Sequence, residues 1–150
     1  MLRGPTNITL DAKGRLSIPT KYREWIAARC DGQVVCTVDH RKCVMIYPLP
    51  DWQEAQRTLM RLPNMAKKHQ KMRELLMGYA IDVELDSHYR VLIPKEHRGF
   101  AGLDRQAMMF GQGNKFDVWD EVCWNERLSR WMDADDDDVD LTAELATLSY

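Results

Sequence analysis

The chain has 150 residues and a mass of 17.5 kDa, enough for one domain or two small ones. At 45% hydrophobic and 29% charged it is too apolar for a disordered chain, and it can bury a sizeable core without staples. Its formal charge of −2 excludes a strongly basic or acidic character; no apolar run reaches a membrane span, and MLRGPTNITL has no apolar core of an export signal.

Asn7-Ile-Thr-Leu10 alternates polar and apolar residues, as a half-buried strand does. Asp11-Ala-Lys-Gly14 is turn chemistry, with Gly14 free to take positive φ. Arg15-Leu-Ser-Ile18 alternates again, Pro19 ends that strand, and Thr20 can cap a helix over 21–29. Gln33–Val38 and Cys43–Tyr47 read as a hairpin around Asp39-His-Arg-Lys42. A helix over 52–62 aligns Trp52, Ala55, Leu59 and Leu62, and a second aligns Met72, Leu75, Leu76 and Tyr79. Strands over 80–85, 90–93, 106–110 and 115–119 follow, with Gly111-Gln-Gly-Asn114 as a hairpin turn. A helix over 120–132 carries Trp124, Leu128, Trp131 and Met132. An acidic run then leads into Leu141, Leu145 and Leu148, spaced as a short amphipathic helix.

The sequence repeats itself. Asp11-Ala-Lys-Gly-Arg-Leu-Ser-Ile-Pro-Thr-Lys-Tyr-Arg23 lies 75 residues before Asp86-Ser-His-Tyr-Arg-Val-Leu-Ile-Pro-Lys-Glu-His-Arg98, with five identities at fixed spacing. Downstream, Tyr47 precedes Trp52 as Trp119 precedes Trp124. Each copy has the same plan: strand, Asp turn, strand, Pro-started helix, two strands, Trp-led helix. A unit that small buries little surface alone, so the copies are expected to pair across a pseudo-twofold axis.

The Asp-x-Lys-Gly-Arg-Leu-x-Ile-Pro motif and its second form, with Tyr-Pro-Leu-Pro-x-Trp and Gly111–Asp120, resemble the MraZ family over about residues 1–132. That resemblance implies an α+β chain of two AbrB-type swapped-hairpin β-barrel halves with flanking helices. Residues 1–52 would form the first repeat, 53–79 a helical connector, 80–124 the second repeat, and 125–150 the last helix end and acidic tail. It implies a cytoplasmic, nucleoid-associated transcriptional regulator that forms ring-like homo-oligomers. Such a protein binds direct repeats in promoter DNA and represses its own division and cell-wall operon. One departure stands out: the second copy has His88-Tyr89 where the first has Lys13-Gly14. The second turn must therefore use a conformation that tyrosine tolerates, or be a longer loop.

The expected DNA-binding residues are Arg3, Lys13, Gly14, Arg15, Lys21, Arg23 and Arg90. Arg15 can reach a phosphate or a guanine edge; equally, it can pair with Asp11 and pin the turn. Arg90, with Asp86 and Glu84 nearby, reads as structural first. Arg23 and Arg98 occupy one repeated position, which suits a shared structural pairing as well as a DNA contact. Residues 1–23 carry +4 and residues 76–98 carry −1, so the first copy is the expected DNA face.

Cys36 and Cys43 bracket His40 at a spacing loose for zinc and read as buried free thiols, so no metal or cofactor is expected. There is no nucleophile elbow, phosphate loop or paired catalytic carboxylate, and neither an enzyme nor a small-molecule substrate is expected. Residues 133–150 hold six Asp, one Glu and no Lys or Arg, leaving +5 on residues 1–132. The tail reads as a spacer, a DNA mimic or a docking segment. The alternative function is an antitoxin-like or scaffolding module that binds protein.

Overall fold

Both copies of the Asp-to-Arg motif fold alike, because each carries the same turn, Pro-terminated strand and helix start. In the computed structural model, which describes residues 1–63, 65–133 and position 148, the first copy forms β1 (Leu2–Thr9), β2 (Arg15–Ser17), α1 (Thr20–Cys30), β3 (Gln33–Asp39), β4 (Cys43–Pro48) and α2 (Leu49–Arg61). After α3 (Lys67–Leu76), the second forms β5 (Ile81–Glu84), β6 (Arg90–Leu92), α4 (Lys95–Ala101), β7 (Gln106–Gly113), β8 (Phe116–Asp120) and α5 (Glu121–Asp133). The helix expected through Leu141 and Leu145 lies outside the described residues.

The strands do not stay within their own copy. β1 pairs with β7 of the second copy, β5 pairs with β3 of the first, and β4 pairs with β8, all antiparallel. One six-stranded sheet results, ordered β1-β7-β8-β4-β3-β5, with β2 and β6 as a separate two-stranded ribbon. Two barrel halves were expected. Instead the strands of both copies merge into one sheet, with β1 and β5 as its edges and no closed barrel among the described residues.

The sheet has an apolar layer on each side. On one side the ribbon and α1 bury Leu16, Ile18, Ile26, Val91 and Ile93 against Val34, Ile46, Phe116 and Val118. On the other, α2, α3 and α5 bring Trp52, Leu59, Leu76 and Trp124 against Val35, Met45, Tyr47 and Trp119. Burial on both faces accounts for the near-continuous apolar runs of β3 and β4. Each fully covered aliphatic chain such as Ile93 contributes about 1.5–3 kcal/mol.

Several boundaries differ from the sequence expectation for local reasons. β1 starts at Leu2 rather than Asn7; Pro5 is tolerated because β1 is an edge strand, where a missing N–H breaks no ladder. Gly111 ends no strand: β7 continues to Gly113, and the Gly111 α-carbon faces the β1 backbone so closely that a Cβ would lie 2.3 Å from the Arg3 nitrogen. α3 stops at Leu76, where the Met77 N–H reaches the Arg73 carbonyl, and Tyr79 stands outside the helix with its carbonyl 2.6 Å from His97 Nε2.

Candidate nucleic-acid interface

The two Asp turns are superimposable in their bonding. In the first, Asp11 Oδ1 accepts from the backbone N–H groups of Lys13 and Arg15, each at 2.9 Å, while Arg15 Nε donates to Asp11 Oδ2 at 2.7 Å. In the second, Asp86 Oδ1 accepts from His88 and Arg90 at 2.8 and 2.9 Å, and Arg90 Nε donates to Asp86 Oδ2 at 2.6 Å. The Arg15 backbone N–H, then its guanidinium, holds the Asp11 carboxyl down at about 2. Asp86 is lowered in the same way, led by the Arg90 backbone N–H. The structural pairing weighed for Arg15 therefore exists, but it uses only Nε–H and leaves four guanidinium N–H groups outside that bond.

Sequence asymmetry does not become backbone asymmetry. Gly14 has φ +89° and Tyr89 has φ +59°, so tyrosine occupies the left-handed turn position itself and the loop is no longer. The turns are tied to each other's strands: the Ile18 N–H donates to the Tyr89 carbonyl at 2.9 Å, and the Ile93 N–H to the Gly14 carbonyl at 3.0 Å. Arg23 Nε donates to the Ile18 carbonyl at 2.9 Å while its guanidinium lies 5.3 Å from the Tyr89 ring centroid. Arg98 repeats the bond, Nε to the Ile93 carbonyl at 3.1 Å, and lies against Gly14. Arg23, for which both a structural pairing and a DNA contact were expected, is half-buried, bonded within its own copy and set over the Tyr89 ring of the other.

The register of the ribbon sets its outer face. Leu16 sits opposite Val91 and both are buried, so the alternate positions Arg15, Ser17, Arg90 and Leu92 lie on the side away from the core. Arg15 stands opposite Leu92, and Arg90 opposite Ser17, which places the two arginines diagonally about the pseudo-twofold centre. Lys13 and His88 are exposed in the turns that enter each strand. Beyond the strands, Pro19 and Pro94 start α1 and α4, putting Lys21 and Lys95 in their exposed first turns. Lys95 enters the charge of residues 76–98 but not the expected DNA-binding residues, because the repeat pairs it with the uncharged Thr20. Arg3 is exposed on edge strand β1, its carbonyl bonded by the Tyr22 hydroxyl, and the Lys21 ammonium lies beside Gly4.

Cys36 and Cys43 are buried on opposite sides of the sheet, so they cannot share an ion, and burial pushes each thiol up to about 12. Among the described residues no cluster of three His, Cys, Asp or Glu could hold a metal ion, and no helix is long and apolar enough to cross a membrane.

This arrangement coincides with a match along nearly the whole chain. The family profile described as "MraZ protein, putative antitoxin-like" matches residues 1–74 and 76–144. The chain belongs to the MraZ family. It is 40% identical over 149 residues to the "Transcriptional regulator MraZ" of Thioalkalivibrio sulfidiphilus, covering 99% of both chains. The protein of the same name from Methylococcus capsulatus is 44% identical over 133 residues, 89% of this chain and 88% of that one. A third relative so named, from Halorhodospira halophila, is 40% identical over 151 residues, with 99% of each chain covered. Within this MraZ chain the two ribbon arginines have equal geometry, and the charge difference between the copies comes from flanking residues: Arg3, Lys13 and Lys21 on the first side against Asp82, Glu84 and Glu96 on the second, where Lys95 offsets part of it.

Proposed function

We propose that the chain regulates transcription by laying the β2–β6 ribbon on promoter DNA. The observation that carries this reading is the pair Arg15 and Arg90, held by their Asp partners on the outer face of a two-stranded ribbon. A two-stranded ribbon fits the major groove, and an arginine fixed through Nε can still present its terminal N–H groups to a guanine edge or phosphate. Lys13, Lys21 and Arg3 supply phosphate contacts on the first copy's side. Gly14 lets the backbone turn there without a side chain. The exchange of strands between copies supports swapped-hairpin halves at 1–52 and 80–124, joined by 53–79 and followed by 125–150.

One ribbon covers few base pairs and binds weakly. A ring-like homo-oligomer would present several ribbons at a fixed repeat, and direct repeats in the promoter would engage them together. Occupying the chain's own division and cell-wall promoter would then repress it, with the protein cytoplasmic and nucleoid-associated. Titrating labelled upstream DNA with the full chain and following anisotropy tests this reading. Saturable, sequence-dependent binding that footprints over direct repeats supports it; equal affinity for any sequence overturns the specific reading.

A protein-binding, antitoxin-like reading has one observation in its favour. A shallow groove of about 890 Å³ runs between α2 and β3, with Trp52, Met60 and Met77 on its walls. Failure of the titration together with co-purification of a stoichiometric protein partner would favour it.

A further inference from the structure

The two copies differ where the helix after the ribbon strand meets the last helix of the repeat. In the first copy α1 runs on past Ile26 to Cys30, and Arg29 in its last turn holds Asp51 of α2 through Nε and Nη2 at 3.1 and 2.9 Å. In the second, α4 stops at Ala101, the counterpart of Ile26, with Gly102 as a left-handed cap, and Cys123 stands at the Asp51 position. Neither the last turn nor the ion pair is repeated. Between α4, α5 and the β3–β4 turn there is instead a pocket of about 320 Å³. Four cations line it, Arg41, Lys42, Arg127 and Arg130, against the carboxylate of Glu126. In the register that pairs Trp52 with Trp124, Arg127 and Arg130 fall at Ala55 and Thr58, so the shared scaffold does not require them.

Arg41 is neutralised by Asp39 and Asp117. Lys42, Arg127 and Arg130 have no ion-pair partner among the described residues. Arg127 is nonetheless held in place. Its guanidinium lies 5.0 Å from the Trp119 ring centroid and 4.7 Å from that of Trp131, and its Nε is buried without a hydrogen bond among the described residues. Burial of Nε leaves the terminal N–H groups as the donors an occupant can reach. The Arg41 guanidinium lies 5.8 Å from the same Trp119 centroid, so two like charges crowd one indole and an anion beside them is favoured. Asp120, at the start of α5, accepts the Cys123 N–H at 3.1 Å and makes no ion pair among the described residues. Three unpaired cations against Glu126 leave a surplus of two positive charges.

A phosphate monoester carries about −1.5 to −2 at neutral pH and three acceptor oxygens, which match that surplus and the arginine forks. A carboxylate or a phosphodiester brings only a single charge. The volume stands at the lower end of small-molecule sites, about 300–1,000 Å³. Two cations already stand over Trp119, which disfavours a stacked nucleobase. We infer that this pocket binds a small phosphate monoester through Lys42, Arg127 and Arg130, as a site separate from the ribbon. Lys42 comes from the first copy and both arginines from the second, so the ligand ties the copies together. The site does not depend on DNA binding.

Glycerol phosphate titrated into the full chain at neutral pH and constant ionic strength tests it, followed by phosphorus NMR linewidth and by indole emission. Both signals should saturate at one midpoint. Arg127→Gln with Arg130→Gln should weaken that midpoint at least about tenfold, the loss of a charge-assisted contact. Lys42→Gln, an exposed turn substitution that leaves the helices untouched, should weaken it in the same direction, and Lys13→Ala with Arg15→Ala should leave it where it is. Circular dichroism melts check that each variant is folded. Failure to saturate, or an equal response to sodium chloride, would overturn the inference. A midpoint indifferent to both Lys42→Gln and the Arg127, Arg130 pair would overturn it too. A midpoint moved by the Lys13, Arg15 pair would place the phosphate on the ribbon, and competitive displacement by duplex DNA would assign the pocket to a nucleic-acid strand; either result overturns a separate small-molecule site.

Discussion

The Arg98 side chain lies against the bare α-carbon of Gly14: a Cβ built there would sit 2.5 Å from Nε and 2.6 Å from Cζ. Arg98 cannot swing away freely, because that Nε is bonded to the Ile93 carbonyl. Gly14→Val therefore combines a β-branched residue at φ +89° with displacement of Arg98 from its Ile93 bond, at a contact between the two copies. The expected destabilisation is about 2–4 kcal/mol, read from thermal or urea melts, with a matching loss of DNA affinity. A melt unchanged from the native chain would refute the contact.

Tyr89 makes the opposite case. A non-glycine residue in the left-handed region costs about 1–2 kcal/mol, and here it is offset by ring packing and the Arg23 contact. Tyr89→Gly relaxes the backbone while losing the ring, so stability should stay within about 1 kcal/mol of the native value. Tyr89→Ala loses the ring without relaxing φ and should melt below Tyr89→Gly by about 1 kcal/mol. The reverse order would show that the turn is not left-handed.

Gly111→Ala sets a methyl group against backbone rather than a flexible side chain, 2.3 Å from the Arg3 nitrogen and 2.7 Å from its α-carbon. β1 must move off β7 to admit it. The expected cost is about 3 kcal/mol, accompanied by faster amide exchange along Leu2–Thr9. Protected β1 amides in the variant would contradict the register.

For DNA, Arg15→Ala and Arg90→Ala should each weaken binding, because the ribbon places both alike. A lost bidentate contact corresponds to about 1–3 kcal/mol, roughly 5- to 150-fold. Arg15→Ala should lose more, since Lys13 and Lys21 flank it while on the other side His88 replaces the lysine and Glu96 offsets Lys95. Lys13→Ala should lower affinity across all sequences and reduce the salt slope by about 0.9. Anisotropy titrations at several salt concentrations separate these effects; an Arg90→Ala loss exceeding that of Arg15→Ala would reverse the assignment of the dominant copy.

The Asp11 turn predicts an acid response. Its carboxyl is lowered from 3.8 to about 2, first by the Arg15 backbone N–H and then by the Arg15 side chain. Because the folded value lies below the unfolded one, the turn's contribution is complete above about pH 4 and is lost as pH falls toward 2. Carboxyl NMR titration should show Asp11 and Asp86 protonating below ordinary aspartates. An Asp11 midpoint near 4 would mean that the Arg15 bonds are not formed in solution.

Local chemistry in the sequence carried the turns, the ribbon strands and the Pro-started helices, because Asp11, Gly14 and Pro19 act on their immediate neighbours. Strand partners were not legible there. Alternation in Arg15–Ile18 states which side faces a core but not that Val91 closes it, and the long pairing of β1 with β7 depends on Gly111, which from sequence alone resembles a turn. Arg23 was open to both readings in the sequence, a structural pairing or a DNA contact, because its partners, the Ile18 carbonyl and the Tyr89 ring, become visible only in the fold. Tyr89 was ambiguous because tertiary contacts outweigh its backbone preference.

Ninety-seven residues separate Thr9 from its neighbour Gln106. During synthesis the first copy therefore leaves the ribosome with the β1 edge waiting for a strand not yet made, and with half of its ribbon missing. Non-local pairings of this kind form late and slowly. A nascent chain paused after α3 would be most readily completed by the same segment of another nascent chain, β2 pairing with β2 across a true twofold axis. The covalent joining of two copies thus turns an encounter between molecules into loop closure, and it frees the second copy to change Lys13-Gly14 into His88-Tyr89 while the first does not.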